Sequence, residues 1–372
     1  MLEHLLAEKA LTLRGDVLEW VEGMRLTNNL YGCYRFSPSR QFPDAYSSAL
    51  ATFIRDLLDD LIMIGDLERS QWIALLRSFQ QPGSGYFFDE RLLHGIGDDL
   101  FSALELTHAC VSALDILGAL PLHPLRFLNE FAHAPKLIRW LDERMCAASS
   151  GSHLIDRASI ECRLIFHIGG LLICACEWGD LNHDILEVLF RWLDASVDPS
   201  TGFWGTREGC GLLSSMCGSA YIYSLYFHQS RLVHYPDKVI DSVLLLQRQD
   251  GLFGGTPESD FAAAMLLAGM LMRCEYKQIE AEAALRRLQH SILSFGLHND
   301  DGGFCVGRRL RSEHSHFGLK WLSSHPSESN MLSTWLRCGT LALISEVTET
   351  PLTRVGWVLR EGNEAPTFAT WL

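Results

Sequence analysis

No stretch rich in proline, glycine or serine and no block of charge divides this chain of 372 residues, so nothing marks a linker between two domains. A single domain over 1–372 is expected, with 1–25 as an N-terminal helical extension. A basic patch is missing as well: 45 acidic residues against 31 basic ones leave a formal net charge of −14. That balance disfavours a nucleic-acid partner, whose phosphates call for a basic stripe. The longest apolar run, "LIFHIGGLLICACEW" at 164–178, is too short to span a bilayer and contains His167. The opening "MLEHLLAEKALTLRGDVLEW" carries Glu3, Glu8, Lys9 and Arg14 among its leucines, which reads as an amphipathic helix and not a signal peptide. Cysteine pairs at zinc-finger spacing are absent, because the eleven cysteines are scattered and none forms C-x-x-C. Reduced, mostly buried thiols and a cytoplasmic location are the expectation.

With 48% hydrophobic and 20% charged residues, the chain has material for a sizeable core and no signature of disorder. A recurrent unit organises it. A glycine followed by an aromatic one or two places later occurs at Gly32 in "YGCYRF", Gly85 in "GSGYFF", Gly202 in "STGFWG", Gly251 in "QDGLFGG" and Gly302 in "DDGGFCVG". A weaker copy stands at Gly151, where His153 replaces the aromatic. Successive glycines lie 53, 66, 51, 49 and 51 residues apart, a period that signals a repeat architecture. The long interval contains "ALPLHPLRFLNEFAHAPKL" at 119–137, read as an insertion or extended connection.

Each copy runs on into a helix, and Pro43, Pro257 and Pro326 sit near the expected starts. The segments after those starts are apolar nearly all round, as in 261–272, which has no charge, and such helices must be buried on every side. The segments before each glycine are amphipathic, as in "QIEAEAALRRLQHSIL" at 278–293. Six pairs of one amphipathic and one buried helix predict an all-α fold, an (α/α)6 toroid with Gly-aromatic turns. An open helical array is the plainer alternative, with periods nearer 40–47 residues.

The pattern Gln247-x-x-Asp250-Gly251-x-Phe253 resembles the repeat of the terpene cyclase and protein prenyltransferase superfamily, as does "DDGGFCVG" at 300–307. The resemblance covers residues 30 to 345 loosely, and it implies an (α/α) toroid acting on an isoprenoid or similar apolar substrate. Departures narrow the activity. The D-x-D-D acid of squalene-hopene-type cyclases is absent, and "ESDFAAAM" at 258–265 matches only Ser-Asp and one alanine of the oxidosqualene-type S-D-C-T-A-E. The zinc-holding Asp-x-Cys of protein prenyltransferases and the C-G-E-Q of complement-type thioester domains are also missing.

Candidate chemistry is sought where inner helices open on the centre of such a ring. Asp260 is the first candidate acid; burial would keep it protonated, whereas a helix N-terminus favours its carboxylate. Asp98 and Asp99, with Glu105 and His108 following on the same helix, form a second candidate, as acid and base or as oxygen and nitrogen ligands to a metal, or else a helix cap and a core histidine. Arg157, Arg163 and His167 lie where other copies have small apolar residues. They suit an anionic substrate group or an internal ion-pair network. Tyr221, Tyr223 and Trp335 are candidate cavity aromatics able to stabilise a carbocation, or plain core.

The polar segment 308–330 carries Arg308, Arg309, Arg311, His314, His316 and Lys320 and reads as a lid or a solvated loop. No metal site is expected, and Mg2+ enters only if the substrate bears a diphosphate. The leading function is carboxyl-initiated cyclisation of an apolar small molecule. The alternatives are a hydrolase or lyase acting on carbohydrate and a binding module without catalysis. A dry aromatic cavity speaks for the first, an open cleft with paired carboxylates for the second and a filled centre for the third.

Overall fold

Two kinds of helix alternate along the chain, as the hydrophobic patterning requires. The structure, a computed structural model, describes residues 2–27, 29–90, 99–149, 157–206, 209–294, 297–307, 314–315 and 322–348. Among them the odd-numbered helices are α1 (Leu2–Met24), α3 (Asp66–Ser78), α5 (Ala134–Ser149), α7 (Asp184–Ser196), α9 (Pro236–Leu244) and α11 (Gln278–Ser294). The even-numbered ones are α2 (Ala45–Leu57), α4 (Asp99–Ile116), α6 (Arg157–Glu177), α8 (Leu212–His228), α10 (Pro257–Leu271) and α12 (Met331–Val347).

Burial separates the two sets. Every residue of α2 is buried, Arg55 and Asp56 included, whereas α3 buries only Trp72 and Leu76. A helix covered on all sides has no polar face to spare, and one with a single apolar stripe lies against a neighbour with its other side in water. The packing order follows: α2 touches α4, α4 touches α6, α6 touches α8, α8 touches α10, α10 touches α12, and α12 returns to α2. Odd helices add to this closed order, α3 on α2 and α4, α5 and α7 on α6, α9 on α8 and α10, α11 on α10 and α12. Among the described residues the fold is all-α, apart from a two-residue pairing of His314–Ser315 with Ser323–Ser324 and five isolated β-bridges.

The turns explain why the repeat carries glycine and an aromatic. Gly32, Gly85, Gly202, Gly251 and Gly302 all have positive φ; Gly151 lies outside the described residues. At Gly251, with φ 82°, a Cβ would run into Ser291 Oγ and lie 2.9 Å from Arg287 O on α11. At Gly302, with φ 94°, it would strike the backbone of Asp16 on α1. Each of these two turns therefore abuts an odd-numbered helix, and only a residue lacking Cβ takes both the conformation and the approach. In four of these turns, those of Phe87, Trp204, Phe253 and Phe304, the aromatic two places on is buried and its backbone N–H is met by a side chain on the next even helix. Phe87 donates to Thr107 Oγ1 (2.9 Å), Trp204 to Ser219 Oγ (2.9 Å) and Phe304 to Thr334 Oγ1 (3.0 Å). Glutamines add a second tie: Gln247 Nε2 donates to Gly251 O (2.9 Å) and to Ala284 O on α11 (2.8 Å).

Two local expectations change. Pro257 is the first residue of α10. By contrast α2 starts at Ala45 behind an Asp44 cap that accepts from Ser47 N–H, and α12 starts at Met331 behind an Asn330 cap that accepts from Ser333 N–H. Capping side chains set those two boundaries, so Pro43 and Pro326 lie outside their helices. The apolar run at 164–178 belongs to the longer α6, which by length and composition is apolar enough to cross a membrane; 83% of its most apolar window is buried in the fold. Residues 1–25, expected as an extension, hold α1, whose Leu13, Val17, Trp20, Val21 and Met24 are buried.

Gly251→Ala is expected to lower stability by about 1–3 kcal/mol, since it combines left-handed strain with a steric clash. Gly255→Ala is the control: a Cβ there meets nothing within 4 Å, and the urea midpoint is expected to stay within error of the parent.

Candidate functional site

At the inward face of the even helices, one carboxylate collects donors from two neighbouring helices. Glu105 on α4 accepts at Oε1 from Tyr46 Oη of α2 (2.7 Å) and from Arg163 Nη2 of α6 (2.8 Å). Its Oε2 lies 2.9 Å from the same Nη2 and 2.7 Å from His167 Nε2. His167 Nδ1 is 3.1 Å from His108 Nδ1. All five side chains are buried. Arg163 also lies over the Tyr221 ring of α8, with Cζ 4.4 Å from the centroid. The i, i+3 spacing of Glu105 and His108 and the i, i+4 spacing of Arg163 and His167 put each pair on one helix face, where the two faces meet.

The electrostatics follow from burial. Desolvation pushes the His108 imidazole well below its ordinary range, reinforced by neighbouring His167. His167 is lowered by desolvation too, with Glu105 pulling the other way. Both rings are therefore neutral near pH 7. The distances fit one tautomer assignment: His108 Nδ1–H donates to His167 Nδ1, and His167 Nε2–H donates to Glu105. Burial and the adjacent carboxylate hold Tyr46 well above the ordinary phenol range, so it stays protonated and donates. Burial works against the Arg163 cation, but Glu105 and Tyr221 override it and the guanidinium stays charged.

Above this cluster is a cavity of about 30 Å³ lined by Glu105, Arg163, Tyr46, Tyr221, Trp335 and Glu258, with Leu50, Phe53, Leu332 and Leu336 as the apolar wall. That volume holds a water or two and nothing larger. Its walls come at helical spacing: Tyr46, Leu50 and Phe53 from α2, Leu332, Trp335 and Leu336 from α12.

The expected site residues divide. Glu105, Arg163, His167 and His108 come together, and Tyr221 and Trp335 line the cavity. Asp260 does not. It is fully buried, its Oδ1 accepts from Phe253 N–H (2.7 Å), and its Oδ2 is 2.5 Å from Arg337 Nη1 on α12. Burial lifts its carboxyl above the ordinary range while the Arg337 cation and the Phe253 N–H oppose that, and both oxygens are committed. It occupies the turn-capping place that Thr107, Ser219 and Thr334 take elsewhere.

Tyr223, on α8, likewise braces a turn, donating to Gly202 O (2.6 Å) and lying edge-on to Trp204. Arg157 is partly exposed and 3.6 Å from Glu161, away from the cluster. Asp99 is the first residue of α4. Asp98, Arg308, Arg309, Arg311, His316 and Lys320 lie outside the described residues, and His314 is described only through its backbone pairing with Ser324.

Two cavity residues, Tyr46 and Glu258, went unread in the sequence. Both are the second residue of an even helix, as is Leu332, so aligning the helix starts places all three at one level. Glu258 and Asp260 stand two residues apart, about 200° around a helix. One faces the centre and the other the turn.

No known protein family matches the chain, and no curated protein shows significant similarity to it. Among solved structures it is similar to a protein from Actinoplanes, with 13% identity, 91% of this chain and 99% of the other covered, and a TM-score of 0.47. A polysaccharide lyase is matched with 10% identity, 91% and 97% coverage and a TM-score of 0.43. These are distant likenesses of shape, and no activity is carried over from either.

Two outcomes follow. Asp260→Asn removes the charge opposite a buried guanidinium and is expected to cost about 3–5 kcal/mol, read from urea unfolding. The neutral histidines make stability pH-dependent: the unfolded chain binds protons near pH 6.5 and the folded one does not, so stability falls as pH drops below about 6.5. His108→Gln is expected to flatten the decline in urea midpoint between about pH 7 and about pH 5; an unchanged slope would rule out the pair as its source.

Proposed function

We propose that the closed order of even helices is the inner wall of an (α/α)6 toroid related in architecture to the terpene cyclase and protein prenyltransferase superfamily. Its centre, on this reading, binds the apolar end of a small molecule and stabilises positive charge there. The observation that carries the reading is the lining of the central cavity: two carboxylates, Glu105 and Glu258, one guanidinium already paired with Glu105, and the rings of Tyr46, Phe53, Tyr221 and Trp335. Carboxylates among aromatic faces favour a cation, whether an ammonium group or the carbocation of a cyclisation. The cyclic packing and the Gly-aromatic turns support the architectural half of the proposal.

In the catalytic form of this reading the acid is Glu258. Asp260 is committed to Arg337, and Glu105 is held by Tyr46, Arg163 and His167. A protonated Glu258 gives its proton to an alkene carbon, the π electrons form the new C–H bond, and the positive charge develops beside Trp335 and Tyr221. The small closed volume supports the binding-only form equally, and a substrate larger than a few atoms enters only as Trp335 and its leucine neighbours turn aside. Among the described residues no three His, Cys, Asp or Glu side chains converge as metal ligands.

Incubation with neutral polyprenes and polyprenyl diphosphates, with products read by mass spectrometry and binding by thermal shift, tests the reading. Binding of an apolar ligand is expected, with weaker affinity in Trp335→Ala. If the ligand is turned over, Glu258→Gln is expected to slow the reaction by about 10²-fold or more. Full turnover in that variant removes Glu258 as the acid, and failure of every apolar ligand to bind overturns the proposal.

A further inference from the structure

The closed volume at the centre bears on which cation it takes. At about 10–15 Å³ for each water-sized occupant, the cavity of about 30 Å³ has room for two heavy atoms. A cyclising carbon skeleton enters it only when the wall moves, whereas an ammonium group carrying one carbon fits it as it stands.

Three features of the wall suit that occupant. First, Tyr221 lines the cavity and is 7% exposed, yet its hydroxyl makes no hydrogen bond among the described residues. Buried polar groups are as a rule partnered, and a phenol oxygen has two lone pairs for an N–H brought into the cavity. Second, the wall brings aromatic rings from three helices: Tyr46 and Phe53 of α2, Tyr221 of α8 and Trp335 of α12. A small cation among such rings is attracted by their quadrupoles, the more so where water is excluded. Third, the charged side chains of the wall are Glu105, Arg163 and Glu258, and the first two are paired with each other at 2.8 Å. Burial holds the Tyr46 and Tyr221 phenols protonated and neutral. With Glu258 ionised, two carboxylates and one guanidinium leave the wall complementary to a single positive charge.

We infer that the central cavity binds a small primary amine, ammonium to methylammonium in size, whose N–H groups donate to the Glu258 carboxylate and to Tyr221 Oη. The inference rests on the reading of the centre as a cation site and narrows it to the binding form, since a carboxylate that holds an ammonium group has no proton to give an alkene. The bond to Glu258 is charge-assisted and is the stronger of the two.

The test is titration of the full chain, followed by saturation-transfer NMR of the ligand methyl protons, with ionic strength held by sodium chloride. The probes are methylammonium, methanol, which matches it in size and has no charge, and tetramethylammonium, which matches it in charge and is larger. Methylammonium is expected to bind, methanol about tenfold more weakly and tetramethylammonium not at all. Glu258→Gln is expected to lose about tenfold or more in methylammonium affinity. Tyr221→Phe keeps the ring, removes the acceptor and is expected to weaken it several-fold. Asp66→Asn, which removes one exposed carboxylate of α3, is expected to change nothing. Trp335→Ala is expected to weaken methylammonium and admit tetramethylammonium; should that variant fail to fold, the Tyr221→Phe and Glu258→Gln losses carry the test. Equal affinity for methanol and methylammonium would reduce the cavity to a water site and overturn the inference. So would no binding of methylammonium, or binding that neither Glu258→Gln nor Tyr221→Phe weakens. Neutral polyprenes are titrated alongside: if they bind and methylammonium does not, the inference falls and the reading of the centre stands, and if neither binds both fall together.

Discussion

A carboxylate removed from water must be met by donors or it will not stay ionised, and the middle of this protein is arranged around that requirement at Glu105. Tyr46 comes from α2, Arg163 and His167 from α6, and Tyr221 of α8 lies against the guanidinium. Four of the six even helices are thus committed to one point. Removing the carboxylate would strand a buried cation, and removing the cation would strand a buried anion, so neither residue can drift independently. His108 extends the constraint by one step, since its N–H leaves His167 only its Nε2 proton to offer Glu105. The same arrangement fixes the register of α4 against α6 and lines the cavity.

A second constraint repeats around the fold. Each buried turn aromatic presents a backbone N–H that must find an acceptor. Thr107, Ser219 and Thr334 supply hydroxyls. In the fifth unit Asp260 does the same work with a charge, and Arg337 is the compensation that charge demands. This is why an aspartate at a helix start among apolar residues, an arrangement that invites reading as a catalytic acid, has both its oxygens held, one by a backbone N–H and one by a guanidinium.

Much of the architecture was legible in the sequence because it rests on local chemistry. Glycine before an aromatic encodes a left-handed turn, and the contrast between "AAAMLLAGML" and "QIEAEAALRRLQ" encodes buried against amphipathic helices. The charged residues of the third unit were conspicuous for the same reason, and Glu105, His108, Arg163 and His167 do meet. What could not be read was direction. Whether Glu258 or Asp260 faces the centre depends on the rotational phase of α10, which the Thr256–Pro257 boundary sets. Asp44 and Asn330 moved two other helix starts away from their prolines, and with them the level at which Tyr46 and Leu332 project. Arg337 gave no signal as the partner of Asp260, because a pairing across 77 residues depends on which helices become neighbours.

The return of α12 to α2 has a consequence for how the molecule comes apart. An open array of helix pairs has terminal units with one bare face, and it frays from them, losing one interface at a time. A closed order has no such unit. Detaching any one even helix opens two interfaces at once, and the remaining chain is left with two apolar faces where it had none. Partly unfolded states are therefore expensive wherever they begin, and a set of helices in closed contact order is expected to unfold as one cooperative body even though it is built from repeated parts.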